Sequence, residues 1–345
     1  NGGAGIDTAD YSDKITSVSV TLAGATPVTV KVNNVVEDTI SNIENIIGGG
    51  GKDTLIGDAL ANRLEGGTNN DILMGGGGND VMDGGAGIDT ADYSDKTVGV
   101  SVTLAEATAV SVRVNGVVED TISNIEQVFG GSGNDTLIGD GLANRFESGA
   151  GDDFLRGGGG ADFMDGGAGI DTADYSDKSA SVSVTLAGSG LSTVTVGGVA
   201  EDTIRNVENL IGGSANDTLT GSTAANRLDG NSGSDVLTGG NGADTFVFST
   251  ALGPTNIDAI IDFVAGIDKI ALDDAIFSAF AGQASVGVAA FHIGSAAHDA
   301  DDRIVYDSAN GSLYYDADGT GVGAAQAFAV LSTGLALTQN DFLIV

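Results

Sequence analysis

Aspartates recur every nine residues through three segments of the sequence, and glycines precede most of them. The first segment reads GGGGKDTLI, GDALANRLE, GGTNNDILM, GGGGNDVMD and GGAGIDTAD from Gly48 onward, close to the pattern G-G-x-G-x-D-x-U-x, where U is apolar. Glycine permits backbone angles that are closed to residues with a Cβ, so the chain can turn tightly and point carbonyl oxygens at one place. The aspartate adds a carboxylate beside them. Such oxygen ligands suit a hard cation with about six to eight ligands, which is Ca²⁺ rather than Mg²⁺.

The spacing of these nines predicts a stacked coil. Blocks begin at Gly48, Gly130 and Gly212, so five nines and a 37-residue insert repeat every 82 residues. The last three residues of each nine predict a short strand whose middle side chain faces inward. Two nines then form one turn of the coil, and turns on one edge lie about 4.8 Å apart, where unneutralised carboxylates repel each other. The predicted inner ladder consists of Leu55, Leu64, Leu73, Met82, Leu137, Phe146, Leu155, Met164, Leu219, Leu228, Leu237 and Phe246.

The candidate calcium ligands are the aspartates at position six and glycines of the same turns. The candidate aspartates are Asp7, Asp53, Asp71, Asp80, Asp89, Asp135, Asp153, Asp162, Asp171, Asp217, Asp235 and Asp244. The candidate glycines are Gly48, Gly50, Gly66, Gly75, Gly77, Gly84, Gly130, Gly157, Gly159, Gly166, Gly212 and Gly239.

The second nine of each block departs from the pattern. Position six is asparagine there, and position four is leucine or alanine (Asn62, Asn144 and Asn226; Leu60, Leu142 and Ala224). A neutral side chain and a lost glycine weaken a cation site. We therefore expect strong sites on the edge that carries the first, third and fifth nines, and weaker or absent ones on the other edge. Asn69 and Ala215 also replace a position-four glycine; asparagine tolerates the left-handed region, and alanine does so less well.

The inserts, at about residues 11–47, 93–129 and 175–211, contain alternating apolar runs such as SVSVTLA, which predict strands. We expect the inserts to continue the solenoid as wider, calcium-poor coils. A small sheet packed on the flank is the alternative. Tyr11, Tyr93 and Tyr175 open the three inserts and are predicted to be packing residues, with an aromatic row for sugar binding as the alternative.

Composition limits the partners and the chemistry. The 345 residues include 13 Lys and Arg against 48 Asp and Glu, so the formal charge of −35 disfavours nucleic acid and anionic membranes. The chain has no cysteine, which excludes disulfides and thiolate metal sites. No apolar run reaches the roughly 20 residues that a membrane span needs, so membrane insertion is not expected. The sequence begins inside a repeat, and we expect it to be the C-terminal part of a longer protein.

No catalytic site is expected in this chain. Neither the H-E-x-x-H motif of zinc proteases nor the G-x-S-x-G motif of hydrolases occurs. The two histidines, His292 and His298, are interpreted as surface or cap residues. Repetition assigns the many paired carboxylates to metal binding rather than to acid–base catalysis.

The in-phase nines resemble the hemolysin-type, or RTX, calcium-binding repeats. That resemblance implies a parallel β-roll with calcium in its turns. The tail from ADTFVF through IIDFVAGIDKIALDD is similar to the cap that follows such rolls in serralysin-type proteases. Membership of this group implies export from a Gram-negative bacterium by type I secretion machinery, to the medium or the cell surface. The ending NDFLIV resembles the C-terminal signal of that route, at Asp341, Phe342, Leu343, Ile344 and Val345.

These features predict an all-β chain: a right-handed parallel β-roll solenoid of three 82-residue units over residues 1–247, and a β-rich or α+β cap over 248–345. A hairpin is expected across Asn310 and Gly311. Asp316 and Asp318 are interpreted as a solvated turn, with a further calcium site as the alternative.

The functional hypothesis is a structural module that stays unfolded at low calcium and folds on calcium binding after export. The alternatives are an extender of an adhesin, surface layer or filament, and the tail of a secreted protease, lipase or epimerase. Self-association and binding of a cell-surface glycan stay open.

Overall fold

The structure is a computed structural model that describes every residue from Asn1 to Val345. The chain divides into two compact units, Asn1–Asp171 and Thr172–Val345. Both units are built from β-strands, and the only helical segments are three short 3-10 helices in the second unit. None of its helical segments has the length and apolar character that crossing a bilayer requires.

The first unit contains eighteen strands, most of them three to six residues long. They are β1 (Thr8–Asp10), β2 (Val18–Thr21), β3 (Val28–Val32), β4 (Val35–Ile40), β5 (Asn45–Gly49), β6 (Thr54–Ile56), β7 (Arg63–Thr68), β8 (Ile72–Met74), β9 (Val81–Ala86), β10 (Thr90–Asp92), β11 (Val100–Thr103), β12 (Val110–Val114), β13 (Val117–Ser123), β14 (Gln127–Gly131), β15 (Thr136–Ile138), β16 (Arg145–Gly149), β17 (Phe154–Arg156) and β18 (Phe163–Asp165).

These strands form two sheets, and the chain alternates between them. The first sheet has the order β1-β5-β7-β9-β13-β12-β11-β15-β17. The second has the order β4-β3-β2-β6-β8-β10-β14-β16-β18. All pairs between nines are parallel, and each nine supplies one strand. This is the predicted parallel β-roll.

The inner side chains form two columns, one on each sheet. Leu55 pairs with Leu73 in the second sheet, and Leu64 pairs with Met82 in the first. All twelve residues of the predicted inner ladder are 0% exposed, which confirms the in-phase assignment of the nines. Each such side chain stabilises the fold by roughly 1.5–3 kcal/mol through burial, so the core depends on one residue per nine.

The inserts remain within the sheets, but not as wider coils. In the second repeat, β11, β12 and β13 form an antiparallel meander that takes the place of one strand, with β13 beside β9 and β11 beside β15. The inserts therefore continue the solenoid, as expected, but the expected wider coils are wrong, and so is the alternative of a small sheet on the flank. The physical reason is a tight turn at Asn115-Gly116, where both residues have positive φ, as a type I′ hairpin requires.

The meanders of successive repeats lie in opposite sheets. Five nines supply one strand pass each and the insert supplies two, so the chain changes sheet seven times per repeat. Because seven is odd, β1 lies in the first sheet and its equivalent β10 lies in the second. Likewise β2–β4 belong to the second sheet and β11–β13 to the first.

The second unit contains sixteen further strands. They are β19 (Thr172–Asp174), β20 (Val182–Thr185), β21 (Ser192–Val196), β22 (Val199–Arg205), β23 (Asn209–Ile211), β24 (Thr218–Thr220), β25 (Arg227–Asp229), β26 (Val236–Thr238), β27 (Thr245–Phe248), β28 (Asp258–Ile260), β29 (Lys269–Leu272), β30 (Phe291–Ile293), β31 (Ile304–Asp307), β32 (Ser312–Tyr315), β33 (Gln326–Val330) and β34 (Phe342–Ile344). The 3-10 helices are Ser278–Phe280, Val288–Ala290 and Gln339–Asp341.

The sheets of the second unit run directly into the cap. One has the order β19-β23-β25-β27-β29-β34, all parallel. The other has the order β22-β21-β20-β24-β26-β28-β33-β32-β31-β30. The cap is therefore β-rich rather than α+β, and its strands cover edges that would otherwise stay unpaired.

Two predicted features of the cap can be placed. The hairpin β31–β32 turns through Asn310 and Gly311, as expected, and Gly311 has a φ of 85°. Asp316 is 5% exposed, and its Oδ1 accepts a hydrogen bond from the N–H of Asp318 at 3.3 Å. Asp318 Oδ2 in turn accepts from Gly323 N–H at 3.0 Å. These local bonds agree with the interpretation as a turn, although Asp316 is buried rather than solvated.

Candidate metal centre

The position-six residues of the first unit, together with three acidic residues of the inserts, lie in two rows, one at each edge where the chain crosses between sheets. All of them stand immediately before a strand except Asp120, which lies within β13. We call the residues that belong to strands of the second sheet in this way row I, and those that belong to strands of the first sheet row II. Row I contains Asp53, Asp71, Asp89, Glu126, Asn144 and Asp162, and row II contains Asp7, Glu44, Asn62, Asp80, Asp120, Asp135 and Asp153.

A ladder of hydrogen bonds runs along each row. In row I, the backbone N–H of Asp53 donates to Oδ1 of Asp71 at 2.8 Å, and that of Asp71 donates to Oδ1 of Asp89 at 2.8 Å. In row II, Asp135 N–H donates to Oδ1 of Asp153 at 2.7 Å. Each carboxylate therefore has one oxygen held by the coil before it. This fixes the side chain and directs the second oxygen into the turn.

The second oxygen has no hydrogen-bond partner at several positions, although it is buried. This holds for Oδ2 of Asp7, Asp71, Asp80, Asp89, Asp153 and Asp235. A buried polar atom without a partner costs about 1–3 kcal/mol, and more when it is charged. A bound cation would remove that cost. The unpartnered oxygens are therefore the clearest sign that these rows are built around metal ions.

Carbonyl oxygens converge on the same places. A Cβ added to Gly48 would stand 2.3 Å from Asp53 Oδ2 and 2.4 Å from the carbonyl oxygen of Gly66 in the next coil. At Gly66 the corresponding distances are 2.4 Å to Asp71 Oδ2 and 2.6 Å to the carbonyl oxygen of Gly84. Only glycine fits at this position, and its absent side chain lets carboxylate and carbonyl oxygens from successive coils approach each other. This donor set fits Ca²⁺.

The other candidate glycines also lie in the turns, either beside a carboxylate or within the hydrogen bonds of the turn. A Cβ at Gly75, Gly84, Gly130, Gly157, Gly212 or Gly239 would also stand within 2.8 Å of the aspartate Oδ2 of its own nine. The carbonyl of Gly166 accepts from Ser148 Oγ at 2.7 Å. Gly50, Gly77 and Gly159 occupy position three and donate their N–H groups to the carbonyls of Lys14, Asp58 and Asp140. They order the turn, while the first-position glycines border the carboxylates.

Burial and crowding raise the pKa values of the row carboxyls. Burial, together with the charges of Asp53 and Asp89, raises the pKa of Asp71 to about 7. The pKa of Asp80 rises to about 7 and that of Asp135 to about 6, in both cases chiefly through burial. In the second unit, burial and the neighbouring Asp258 raise the pKa of Asp235 to about 8. Full ionisation of the rows therefore requires a compensating positive charge.

The asparagine side chains of the second nines find hydrogen-bond partners in the backbone. Asn62 Oδ1 accepts from Asp58 N–H at 2.8 Å, and its Nδ2 donates to the Glu44 carbonyl at 3.0 Å. Asn226 repeats this arrangement with Ser222 and Glu208. These contacts support the expectation of weaker sites at the second nines. Two other nines also lack a glycine at position four: there Asn69 adopts a φ of 74°, whereas Ala215 does not have a positive φ.

The edge that carries the first, third and fifth nines differs between the two repeats. In the first repeat, the first, third and fifth nines place Asp53, Asp71 and Asp89 together in row I, as expected. In the second repeat, the equivalent Asp135 and Asp153 lie in row II, because the chain changes sheet an odd number of times per repeat. The first, third and fifth nines therefore share an edge within a repeat, but this edge is not the same one along the unit. That calcium binds more strongly at these nines stays a prediction.

Sequence reasoning missed several members of the rows. Glu126 Oε2 accepts the N–H of Asp89 at 2.8 Å, and Glu44 Oε2 accepts that of Asp7 at 2.9 Å. Asp120 Oδ1 accepts the N–H of Asp80 at 2.8 Å. These acids lie in the inserts, outside the nines. The signal was present in the recurring EDTISNIE stretch, whose last acid immediately precedes a returning strand.

The second unit contains the same kind of aspartate ladder, and there it extends into the cap. Asp217 N–H donates to Asp235 Oδ1 at 2.7 Å, and Asp235 N–H donates to Asp258 Oδ1 at 3.0 Å. On the other edge, Asp244 N–H donates to Asp268 Oδ1 at 3.0 Å. Asp258 and Asp268 were not predicted as row members, although each stands two residues before an inward apolar residue like the aspartate of a nine.

At the second insert, the positive charge comes from the chain itself. Lys96 Nζ donates to the carbonyl of Gly76 and to Glu119 Oε1, both at 2.5 Å. Burial alone would lower the pKa of Lys96, but the hydrogen bond to Glu119 and the neighbouring acids outweigh it and raise that pKa. Burial raises the pKa values of Asp80 and Asp120, and the ammonium offsets part of that rise. It neutralises row II where the meander interrupts the nines.

Replacing Lys96 with methionine should show how much this internal cation contributes to the free energy of unfolding. Lys96→Met keeps the aliphatic stem but leaves Asp80, Glu119 and Asp120 without their counter-charge. We expect a loss of about 3 kcal/mol in the free energy of unfolding of the calcium-saturated protein, measured by urea denaturation. Lys52→Met is the matched control, because Lys52 is exposed. Equal effects of the two substitutions would contradict the assignment.

The insert tyrosines are core residues. Tyr11, Tyr93 and Tyr175 are 5% exposed or less. Burial, together with the charge of Asp120, raises the pKa of Tyr93 well above its usual value. The three rings therefore do not form an exposed row for a sugar, and the packing interpretation stands.

Phe342, Leu343 and Ile344 of the predicted secretion signal form the last strand, and Asp341 ends the 3-10 helix before it. Asp341 is 1% exposed, and its Oδ1 accepts from Gly266 N–H at 2.8 Å. Phe342 pairs with Ile270 on β29 and is 1% exposed. Ile344 is partly buried, whereas Leu343 and Val345 are exposed. The motif thus completes one column of the roll in the folded state.

Comparisons with known proteins agree with this geometry. The family model described as Peptidase M10 serralysin C terminal matches residues 146–344. The model of the RTX calcium-binding nonapeptide repeat (4 copies) matches residues 41–59, 56–91 and 123–141. No curated protein matches the sequence.

Among solved structures, the extracellular lipase LipA from Serratia marcescens aligns at 15% identity and a TM-score of 0.18. The alignment covers 86% of this chain and 40% of the lipase chain, so this chain spans well under half of that protein's length. At that TM-score the alignment does not establish a shared fold.

Proposed function

We propose that this chain, which belongs to the Peptidase M10 serralysin C-terminal family and carries RTX calcium-binding repeats, is a secreted module whose folding is driven by calcium. The observation that supports this most is the set of buried carboxylate oxygens without partners along the two rows. A metal-free roll must either protonate these groups or leave them unpaired, and both are unfavourable near neutral pH.

Calcium supplies the missing charge to the rows. Residues such as Asp71 and Asp89 would hold the ion together with carbonyl oxygens of the first-position glycines of their turns. When bound, Ca²⁺ neutralises neighbouring carboxylates and links successive coils. Because these ligands come together only in the folded chain, the free energy of binding becomes free energy of folding.

The folded state is a poor substrate for export through a narrow channel, and it also buries the first two residues of the C-terminal motif. Asp341 and Phe342 are each 1% exposed, so recognition of this motif by type I secretion machinery would need the unfolded chain. At low calcium, the repulsion within the rows and the entropy of the glycine-rich turns keep the chain unfolded. In the extracellular medium, at millimolar calcium, the roll folds.

A calcium titration monitored by far-UV circular dichroism tests this function. In chelator at pH 8 we expect the signal of an unfolded chain, and added Ca²⁺ should produce a cooperative gain of β signal. The midpoint should lie on the order of 0.1–1 mM. Mg²⁺ should fail to replace it, because it needs a smaller, near-octahedral site. A full β signal in chelator would contradict the proposal.

A second candidate is favoured by the three 82-residue repeats, which exceed what a short folding tag needs. The module would then act as an extender in an adhesin, surface-layer or filament protein. In either role we propose that the chain binds rather than catalyses. Whether the flanking sequence encodes further repeats or an enzyme domain distinguishes the two roles.

A further inference from the structure

Both histidines of the chain lie in one corner of the cap, on the edge strand β30 and the loop that follows it. His292 is the middle residue of β30, which pairs in parallel with β31. The loop between these two strands brings His298 and Asp302 back against it. The potential ligand atoms of the three side chains all lie within 4.8 Å of one another.

The distances suit a metal ion with short bonds. Asp302 Oδ2 lies 3.4 Å from His298 Nδ1 and 4.0 Å from His292 Nδ1. Ligands about 2.1 Å from a tetrahedral Zn²⁺ ion stand about 3.4 Å apart. The pair of Asp302 and His298 already has this separation, the pair of Asp302 and His292 needs to close by roughly 0.6 Å, and the two histidine nitrogens lie within 4.8 Å of each other. The two imidazole rings are stacked, with centroids 5.1 Å apart and an interplanar angle of 17°, so one ring must turn for both nitrogens to point at the same ion.

The surrounding chain fixes these donors. Asp302 is 3% exposed, and its Oδ2 accepts hydrogen bonds from the N–H groups of His298 at 2.6 Å and Asp299 at 3.1 Å. A Cβ on Gly294 would stand 2.5 Å from His292 Nε2, so the glycine makes room for the ring. Arg303 Nη1 donates to the carbonyls of Ala300 and Asp302 and does not bond the carboxylate.

We propose that His292, His298 and Asp302 form a binding site for one Zn²⁺ ion. Two imidazole nitrogens and one carboxylate make a donor set that Zn²⁺ prefers, whereas Ca²⁺ prefers oxygen ligands. The fourth position is open to water or to Asp299, whose Oδ2 lies 3.2 Å from His298 Nδ1. The ion links β30 to both parts of the loop and closes this corner of the cap. The chain thus sorts two metals by ligand chemistry.

Zinc titration of the calcium-saturated full chain tests this assignment. With the rows occupied by Ca²⁺, isothermal titration calorimetry with ZnCl₂ should show one site per chain. The chain contains only two histidines. Both imidazoles should therefore shift together in NMR spectra as Zn²⁺ is added, and Co²⁺ should give the absorption of a tetrahedral complex.

Substitutions at the site separate it from non-specific binding to carboxylates. His298→Ala, at an exposed residue, should weaken Zn²⁺ binding by about 100-fold while calcium-dependent folding is unchanged. His292→Ala should have the same effect, so the test does not depend on whether a single variant folds. Asp301→Asn, at an exposed acid of the same loop, is the matched control and should bind Zn²⁺ normally. Equal Zn²⁺ affinity in His298→Ala and Asp301→Asn, or unshifted imidazole signals, would overturn the proposal.

Discussion

In the absence of calcium, the protein is expected to gain β structure when the pH is lowered from 8 to 5. The carboxyls of Asp71 and Asp80 have pKa values of about 7 in the folded chain, because they are buried beside other acids. In the unfolded chain an aspartate titrates near 3.9. The metal-free folded state therefore binds more protons than the unfolded state between about pH 4 and pH 7.

The sign of the effect follows from this difference. Stability falls with rising pH wherever the folded state binds more protons. The stabilisation from protonated row carboxyls is thus complete below about pH 4 and is lost as the pH rises through 6 to 8, the range of the pKa values of Asp89, Asp71 and Asp235. Protons act here as weak substitutes for calcium.

Far-UV circular dichroism in chelator, recorded at intervals between pH 8 and pH 5, measures this effect. With saturating calcium the same scan should show little change until protons displace the metal at the acid end. Light scattering guards against association, since the sequence pI is about 4.1. A metal-free β signal that stays constant or increases with pH would show that the row carboxyls do not control folding.

The second large effect is expected from Asp71→Asn, with opposite signs in the two metal states. In calcium, the variant loses a ligand in the middle of row I, so the free energy of unfolding should fall by about 2–3 kcal/mol, and at least one ion per chain should be lost. Without calcium, the variant removes a carboxylate that lies between Asp53 and Asp89. Metal-free folding should therefore persist to higher pH than in the unchanged protein.

Opposite signs distinguish loss of a ligand from simple damage to the core, which would lower stability in both states. Urea denaturation in calcium, calcium counting by equilibrium dialysis, and the pH scan in chelator provide the three readouts. Asp13→Asn makes the same change of charge at an exposed side chain of the same repeat and should alter none of them. A uniform loss of stability in Asp71→Asn would argue against a metal ligand.

The regular part of the roll could be predicted from the sequence because the residues within each nine determine its local structure. Glycines, one aspartate and one apolar residue suffice to place Leu55, Leu73 and Asp71 in their columns and rows. Repetition in phase then removes the ambiguity of any single nine.

The inserts were less accessible because their path depends on two hairpin turns. The Asn115-Gly116 dipeptide within VRVNGVVED was a readable type I′ signal, and it would have predicted the meander. Without the meander, the number of sheet passes per repeat could not be counted. For the same reason, the sequence did not predict that the first and third nines lie in row I in the first repeat and in row II in the second.

The remaining row members could not be predicted from the sequence because they lie outside the nines. Glu126 precedes β14 and Asp120 lies within β13. Neither belongs to a nine, and only the three-dimensional register shows them in the ladder. Lys96 reaches its partners Gly76 and Glu119 across about twenty residues in either direction, which no local pattern encodes.

The most direct test is the position of the ions themselves. Crystals grown in calcium should show anomalous difference density in row I beside Asp53, Asp71 and Asp89, and in row II beside Asp135 and Asp153. No such density should appear where Lys96 Nζ contacts Gly76 and Glu119. Empty turns beside Asp71 and Asp89 in well-ordered, calcium-grown crystals would contradict the calcium rows and the folding mechanism built on them.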